Sequence, residues 1–178
     1  MRIVAGEHGG RRLVAPAGTA TRPTADRVRE ALFSMLGDAV AGSRVLDLYA
    51  GSGALGIEAL SRGAATAEFV DSARPAVAAI GRNLSTLGLE APVRRRDALA
   101  QLVDAAAAGR TYDLVFADPP YDCAGPVGAR LAELLPAILE EGSLIVTESN
   151  KRDPLLLPFP LLRERAYGNT RIAIHRHV

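Results

Sequence analysis

Strand-like runs alternate with helix-like segments through most of this chain, and this alternation limits the possible folds more than any other feature. Five runs rich in apolar and β-branched residues predict strands, at residues 44–48, 67–70, 93–96, 112–117 and 143–147. Segments with helical spacing lie before and between them, at residues 24–37, 54–62, 75–87, 98–108 and 126–139. This order predicts an α/β protein with a parallel sheet and helices on both faces.

The two ends of the chain depart from the alternation. Residues 161–167 and 170–177 flank Gly168 and Asn169, which predicts an antiparallel hairpin at the carboxyl end and a mostly parallel sheet of seven strands. Residues 2–5 and 11–14 flank a turn-rich segment, which predicts a hairpin arm at the amino end. We therefore divide the chain into an arm, residues 1–22, and a main domain, residues 23–178.

Composition is typical of one water-soluble domain. The 178 residues suit a single core, and 21 basic residues nearly balance 20 acidic ones. No apolar run approaches the roughly 20 residues that span a bilayer, and the amino terminus lacks the apolar stretch of a signal peptide. The single cysteine, Cys123, excludes an internal disulfide. We expect a cytoplasmic monomer that requires no metal.

Two unusual loops follow the first and the fourth predicted strands. In an open α/β sheet, ligands bind beyond the carboxyl ends of the strands, where the strand order reverses. A strand order of 3-2-1-4-5 would place the loop at residues 47–53 beside the loop at residues 118–121. We expect the chemistry in the crevice that these two loops share.

The first loop begins a G-x-G-x-x-G spacing at Gly51, Gly53 and Gly56. This spacing also occurs in nicotinamide dinucleotide sites, and Asp71 lies 20 residues after Gly51, where a ribose-binding acid is expected. Asp47 counts against that interpretation, because a carboxylate beside the loop would repel a pyrophosphate. An NAD-dependent oxidoreductase remains a distant alternative, which predicts NAD binding.

The second loop, Asp118-Pro119-Pro120-Tyr121, is the more specific of the two. Both prolines lack a backbone donor and have a fixed φ, so the loop is stiff and presents carbonyl oxygens. Together with the Asp118 carboxylate, these oxygens form a set of acceptors that suits an –NH2 group. Tyr121 adds a flat face on which an aromatic ring can stack. We expect these four residues to be the catalytic loop.

Both loops resemble motifs of class I methyltransferases that use S-adenosylmethionine. The first, Asp47-Leu48-Tyr49-Ala50-Gly51-Ser52-Gly53, is similar to the cofactor motif, and the second is similar to the signature for methylation of exocyclic amines or of the glutamine amide. The resemblance implies a Rossmann-like methyltransferase fold and S-adenosylmethionine as the cofactor. It implies cofactor contacts from Asp47, Tyr49, Gly51, Gly53, Asp71, Ser72, Asp97, Ala98 and Asp118. Among these, Asp71 would bind the ribose hydroxyls and Asp97 the adenine amino group.

The whole chain resembles the bacterial RsmD-type methyltransferases of small-subunit ribosomal RNA. The likeness rests on the arm, on residues 22–33 (R-P-T-A-D-R-V-R-E-A-L-F) and on Tyr167-Gly168-Asn169-Thr170. It implies methylation of the N2 amine of one guanine in 16S rRNA, position 966 in the nomenclature of that family, and it places Thr24 near the cofactor. The implied partner is 16S rRNA within an assembling or assembled small subunit.

Basic side chains are the candidates for RNA contact, because arginine and lysine neutralise phosphates without reading the base sequence. They are Arg2, Arg11, Arg12 and Arg22 of the arm, with Lys151 and Arg152 after the fifth strand. A base inside a helix could not reach the crevice, so the target must be unpaired or flipped out.

Besides the NAD-dependent oxidoreductase, three other functions remain open beside that of the RsmD type. A DNA adenine-N6 or a protein glutamine methyltransferase would share the cofactor site, but we would expect most of these enzymes to carry Asn at the position of Asp118 or an added recognition domain. A noncatalytic RNA-binding module would bind RNA and leave it unmethylated.

Overall fold

The computed structural model describes residues 1–17, 26–120 and 124–178. These residues form five α-helices, α1 (Asp26–Leu36), α2 (Ala54–Ser61), α3 (Arg74–Leu87), α4 (Ala98–Ala107) and α5 (Ala124–Leu134). They also form seven strands, β1 (Arg44–Leu48), β2 (Thr66–Asp71), β3 (Val93–Arg95), β4 (Tyr112–Ala117), β5 (Leu139–Asn150), β6 (Leu161–Tyr167) and β7 (Thr170–Arg176). No helix among the described residues is long and apolar enough to cross a membrane.

The seven described strands form one sheet in the order β3-β2-β1-β4-β5-β7-β6. Strands β1 to β5 are parallel, whereas β7 runs antiparallel to both β5 and β6. The predicted order 3-2-1-4-5 and the predicted fold class, a mostly parallel Rossmann-like sheet of seven strands, are confirmed. Because the order reverses between β1 and β4, the loops that follow these strands open into one crevice.

Apolar side chains cover both faces of the sheet. On one face lie α1, α2 and α3, with Phe33 and Ile57 fully enclosed. On the other face lie α4 and α5, with Leu102 and Leu131 equally enclosed. Burial on both faces explains why the central strands are almost continuous apolar runs in the sequence.

The segment between α5 and β5 corrects one prediction. The sequence predicts a helix as far as residue 139 and a strand at residues 143–147, but α5 ends at Leu134 and a 3-10 turn follows at Leu135–Ile138. Pro136 explains the early end, because the residue before a proline is disfavoured in the α conformation. β5 is longer than predicted, since a register shift lets Leu139 pair with Tyr112 while the other end continues to Asn150 beside β7.

The predicted hairpin at the amino terminus is present, and it packs on the main domain. Its two sides join through the Ile3 amide, which donates to the Arg11 carbonyl oxygen at 2.9 Å. Ile3 and Leu13 are buried in the core beside α1, α2 and α3. The Val4 and Ala5 amides donate to the buried Glu58 carboxylate of α2, at 2.7 and 3.0 Å. Residues 1–14 of the arm therefore pack against the main domain.

Two further contacts hold the arm. Arg29 of α1 is fully buried, and its guanidinium donates to the Arg2 carbonyl oxygen and to the Asp26 carboxylate. Gly6 has φ +81° and lies so close to α2 that a Cβ there would overlap the Ser61 carbonyl. This position therefore requires glycine for both conformation and space.

Candidate active site

The loop after β1 turns the chain sharply into α2. Tyr49 adopts φ 58°, a left-handed conformation that is rare for a residue with a side chain. Gly53, with φ 76°, precedes the helix, and its amide donates to the Ala50 carbonyl oxygen at 2.7 Å. Holding Tyr49 in this conformation costs about 1–3 kcal/mol, and such strain is concentrated at functional sites.

Asp47 lies beneath this loop and is only 2% exposed. Its carboxylate accepts a hydrogen bond from the Gly56 amide of α2 at 2.9 Å. Burial raises the pKa of Asp47 to about 8, with a further contribution from the nearby Asp71 charge, although the Gly56 hydrogen bond opposes the shift. Without a cation beside it, the side chain therefore holds a proton at neutral pH.

Asp71 ends β2 and faces the same loop. One carboxylate oxygen accepts from the Gly51 amide at 2.9 Å, and the other accepts from the Ala73 amide at 2.8 Å. Each oxygen keeps a lone pair for another donor, as two ribose hydroxyls would require. Ser72 follows Asp71 and is exposed.

Asp97 and Ala98 begin α4. Asp97 is exposed, and its side chain caps the helix by accepting from the Ala100 amide at 3.0 Å. Ala98 is buried. The neighbouring Arg94 and Arg96 pair with Glu68 and Asp104 rather than with Asp97.

The predicted catalytic loop follows β4, and the structure describes it as far as Pro120. Burial raises the pKa of Asp118 well above its ordinary value, and the nearby Glu148 and Asp47 charges raise it further. Pro119 is buried and Pro120 is exposed. The remaining predicted site residues, Tyr121, Thr24 and Arg22, lie outside the described residues.

A narrow cleft runs beside Asp118, and one of its acidic side chains was missed in the sequence. Glu148, near the end of β5, is 7% exposed and lines the cleft with Asp118. The walls are apolar and come from α1, α2 and three strands: Leu32, Leu55, Ala117, Val146 and Ile172. The predicted strand ends at residue 147, so Glu148 is an acid directly after a parallel strand. This position at the carboxyl end of a strand is a signal for a site residue that the sequence analysis did not use.

The basic residues proposed for RNA contact are distributed over two surfaces. Arg2 is 66% exposed and approaches Asp26 at 3.4 Å, while Arg11 donates to the Thr86 carbonyl oxygen at 3.1 Å. Arg12 is exposed on the same arm. The exposed pair Lys151 and Arg152 follows β5 at the carboxyl edge of the parallel strands, which is the edge of the crevice.

Comparison with known proteins identifies the family. The family model described as conserved hypothetical protein 95 matches residues 1–176. The chain belongs to this family. YlbH of Bacillus subtilis, a candidate rRNA methyltransferase by name, is 41% identical to it over 186 residues, which cover 99% of this chain and 98% of the relative. Ribosomal RNA small subunit methyltransferase D of Escherichia coli is 42% identical over 122 residues, 68% of this chain and 60% of the relative. The predicted RsmD-type resemblance is confirmed.

Solved structures of similar proteins share the fold. The Escherichia coli protein yhhF, a candidate methyltransferase by name, superposes with a TM-score of 0.86 at 34% identity and covers 99% of this chain and 97% of its own. The Thermus thermophilus 16S rRNA N2 G1207 methyltransferase RsmC, solved with AdoMet and guanosine, gives a TM-score of 0.69 at 25% identity and covers 91% of this chain and 44% of its own. The fold is that of S-adenosylmethionine-dependent methyltransferases.

Proposed function

We propose that this chain transfers a methyl group from S-adenosylmethionine to the exocyclic N2 amine of one guanine in 16S rRNA, at the position of type 966. The family and the RsmD relative support ribosomal RNA as the substrate. The RsmC neighbour, which is solved with guanosine, supports guanine rather than adenine. The substrate is an assembling or assembled small subunit, and the enzyme acts on it as a cytoplasmic monomer.

One observation carries the proposal: carboxylates from three neighbouring strands meet at the crevice. Asp71 raises the pKa of Asp47, and Asp47 raises the pKa of Asp118, so each charge lies close enough to act on the next. Carboxylates suit a cationic cofactor on one side and an amine that donates hydrogen bonds on the other. A pyrophosphate would add negative charge beside these acids, whose mutual repulsion already raises two of their pKa values, and this disfavours the NAD alternative.

S-adenosylmethionine is confirmed as the cofactor through the methyltransferases that share this fold. It supplies a methyl group on a positively charged sulfur. We assign its amino-acid end to Asp47, its ribose to Asp71 and its adenine amine to Asp97, whose exposed carboxylate retains a free lone pair beyond the α4 cap. The remaining contacts that we propose come from Thr24, Tyr49, Gly51, Gly53, Ser72, Ala98 and Asp118.

The amine of guanine is a weak nucleophile because its lone pair is delocalised into the ring. In its ionised form Asp118, together with the Pro119 carbonyl, would accept hydrogen bonds from this –NH2 group and orient the nitrogen lone pair for transfer. The nitrogen loses one proton on methylation, and either the Asp118 carboxylate or water would take it. Tyr121 and the rigid Pro120 hold the base plane in place. The rate enhancement then comes mainly from proximity and orientation, which can contribute several kcal/mol.

We assign RNA contact to the arm, residues 1–22, and catalysis to residues 23–178. The arm offers Arg2, Arg11, Arg12 and Arg22, and Lys151 and Arg152 extend the contact along the crevice edge. Deleting residues 1–20 would lose rRNA methylation, but Ile3 and Leu13 belong to the core and their removal would also weaken the fold. Replacing the exposed Arg12 by Ala is therefore the cleaner test of the arm.

The experiment that tests the function supplies labelled S-adenosylmethionine and unmodified small subunits, and then maps the labelled nucleotide. We expect label on N2 of a single guanine. Asp118→Ala should abolish transfer while cofactor affinity, measured by calorimetry, stays within a few-fold of wild type. Asp38→Ala, which removes an exposed acid from the turn after α1, is the matched control. Transfer retained by Asp118→Ala would refute the catalytic assignment, and label on adenine or on protein would refute the substrate.

A further inference from the structure

Glu148 occupies a place that the proposed reaction has not yet used. The register pairs Ala117 of β4 with Thr147 of β5, so the next residue of each strand, Asp118 and Glu148, lies at the same level of the sheet. Both side chains line one cleft, and the Glu148 charge acts on the Asp118 carboxyl. Two carboxylates therefore face a single narrow space at the crevice.

The walls of this cleft limit what can enter. Leu32 of α1, Leu55 of α2 and Ile172 of β7 line it together with Val146. The enclosed part of the cleft has a volume of only about 10 Å³, room for one polar group and not for a whole ring, so a flat heteroaromatic base would present its edge to the two carboxylates. Such an edge must carry hydrogen-bond donors, since an ionised carboxylate only accepts.

Guanine has this pattern of donors. Its exocyclic N2 amine lies next to the ring N1–H, so two donors point in nearly the same direction. Adenine presents an unprotonated N1 with a lone pair at the corresponding ring position. When the N2 amine is hydrogen-bonded to Asp118, a second carboxylate at the neighbouring position faces the N1–H of guanine. In a purine without the N1 hydrogen, the same carboxylate faces a nitrogen lone pair.

We propose that Glu148 is a specificity-determining residue, which accepts the N1–H of the target guanine while Asp118 orients its N2 amine. The inference rests on the proposed function, because it needs guanine N2 as the target. A carboxylate that accepts the ring N–H of guanine faces a lone pair instead when the base lacks that hydrogen, and the two lone pairs repel each other. Glu148 thus selects the base, and the arm arginines select the RNA only through its phosphates.

The test compares two target bases that both carry the 2-amino group. Small subunits are reconstituted with 16S rRNA that has either guanine or 2,6-diaminopurine at the mapped position; diaminopurine keeps the amine but has no N1–H. We expect the wild-type enzyme to prefer guanine by about 100-fold in kcat/KM, the ratio that corresponds to the loss of one buried hydrogen bond. In Glu148→Gln, whose amide can donate to an unprotonated N1, the preference should fall at least tenfold, while cofactor Kd is unchanged.

Two further variants separate specificity from folding. Glu148→Asp keeps a carboxylate and should retain the preference for guanine with a lower kcat/KM. Glu141→Gln removes an exposed acid from the same strand and should behave as wild type. Equal preference in wild type and Glu148→Gln, or no preference in wild type, would overturn the role of Glu148 and leave the proposed function intact. Failure of the wild-type enzyme to label any guanine N2 would overturn both.

Discussion

Replacing Asp47 by Asn should stabilise the cofactor-free protein, and increasingly so as the pH rises. Burial raises the pKa of Asp47 from its ordinary 3.8 to about 8. Above about pH 4 the unfolded chain releases this proton while the folded chain keeps it, so this group makes the folded state less stable with each added pH unit. The loss stops above the folded pKa, because both states are then ionised. Asn has the same shape, accepts from Gly56 equally well and has no proton to release.

The size of the effect follows from that pKa difference. Each pH unit between the two pKa values changes the free energy of unfolding by about 1.4 kcal/mol. From about pH 4 to pH 7 the sum is about 4 kcal/mol, which is a large part of the 5–15 kcal/mol that stabilises a typical domain. The stability difference between Asp47→Asn and wild type should therefore grow by this amount over the same range.

Urea unfolding at a series of pH values measures this difference. Far-UV circular dichroism is the suitable signal, because the chain contains no tryptophan. Asp38→Asn controls for the general loss of a negative charge. Parallel stability-against-pH curves for wild type and Asp47→Asn would refute the argument that burial holds a proton on Asp47. Calorimetry should also show weaker S-adenosylmethionine binding by Asp47→Asn. The cationic end of the cofactor would favour the ionised form of the Asp47 carboxyl and be attracted to it, whereas the Asn amide stays neutral.

Three other substitutions follow from the contacts of the loop and the arm. Gly56→Ala should lower the free energy of unfolding by about 1–3 kcal/mol or more, since the added Cβ would overlap the Phe69 ring; an unchanged urea midpoint would contradict this. Glu58→Gln should cost about 2 kcal/mol and speed proteolysis of residues 1–14, because Val4 and Ala5 donate to different oxygens and the amide NH2 would replace one of them. Cleavage at the wild-type rate would show that the arm is held by other contacts. Asp71→Ala should weaken cofactor binding at least tenfold in calorimetry, and wild-type affinity would rule out the ribose contact.

The strands and their order were predictable because the signals are local or general. Buried parallel strands such as β4 are continuous apolar runs, and its predicted bounds match those in the structure, Tyr112–Ala117. The position of the crevice follows from the strand order alone. The strand order thus predicts that the loops after β1 and β4 lie side by side.

Other features depend on contacts between distant residues, so no local pattern reports them. The arm docks because Glu58 caps its amides from 54 residues away, and one glutamate within a helix gives no sign of this. The extent of β5 depends on pairing with β7, which the apolar pattern of residues 143–147 does not contain. Asp97 was expected only as a cofactor ligand, and its role as a helix cap was missed although Asp is a common cap residue.

Buried carboxylates in this fold are of two kinds, and the difference separates structure from function. Glu68 receives hydrogen bonds from Arg94, Arg110 and Tyr112, and these outweigh burial, so that its pKa is lowered. Asp47 and Asp118 lie beside other acids, and both pKa values are raised. A buried acid that only stabilised the fold would be expected to have cationic partners, as Glu68 does. Acids that repel one another at a crevice destabilise the free protein. A cationic cofactor and a base rich in hydrogen-bond donors would relieve that repulsion. The loss of stability that these acids cause therefore falls mainly on the unliganded state.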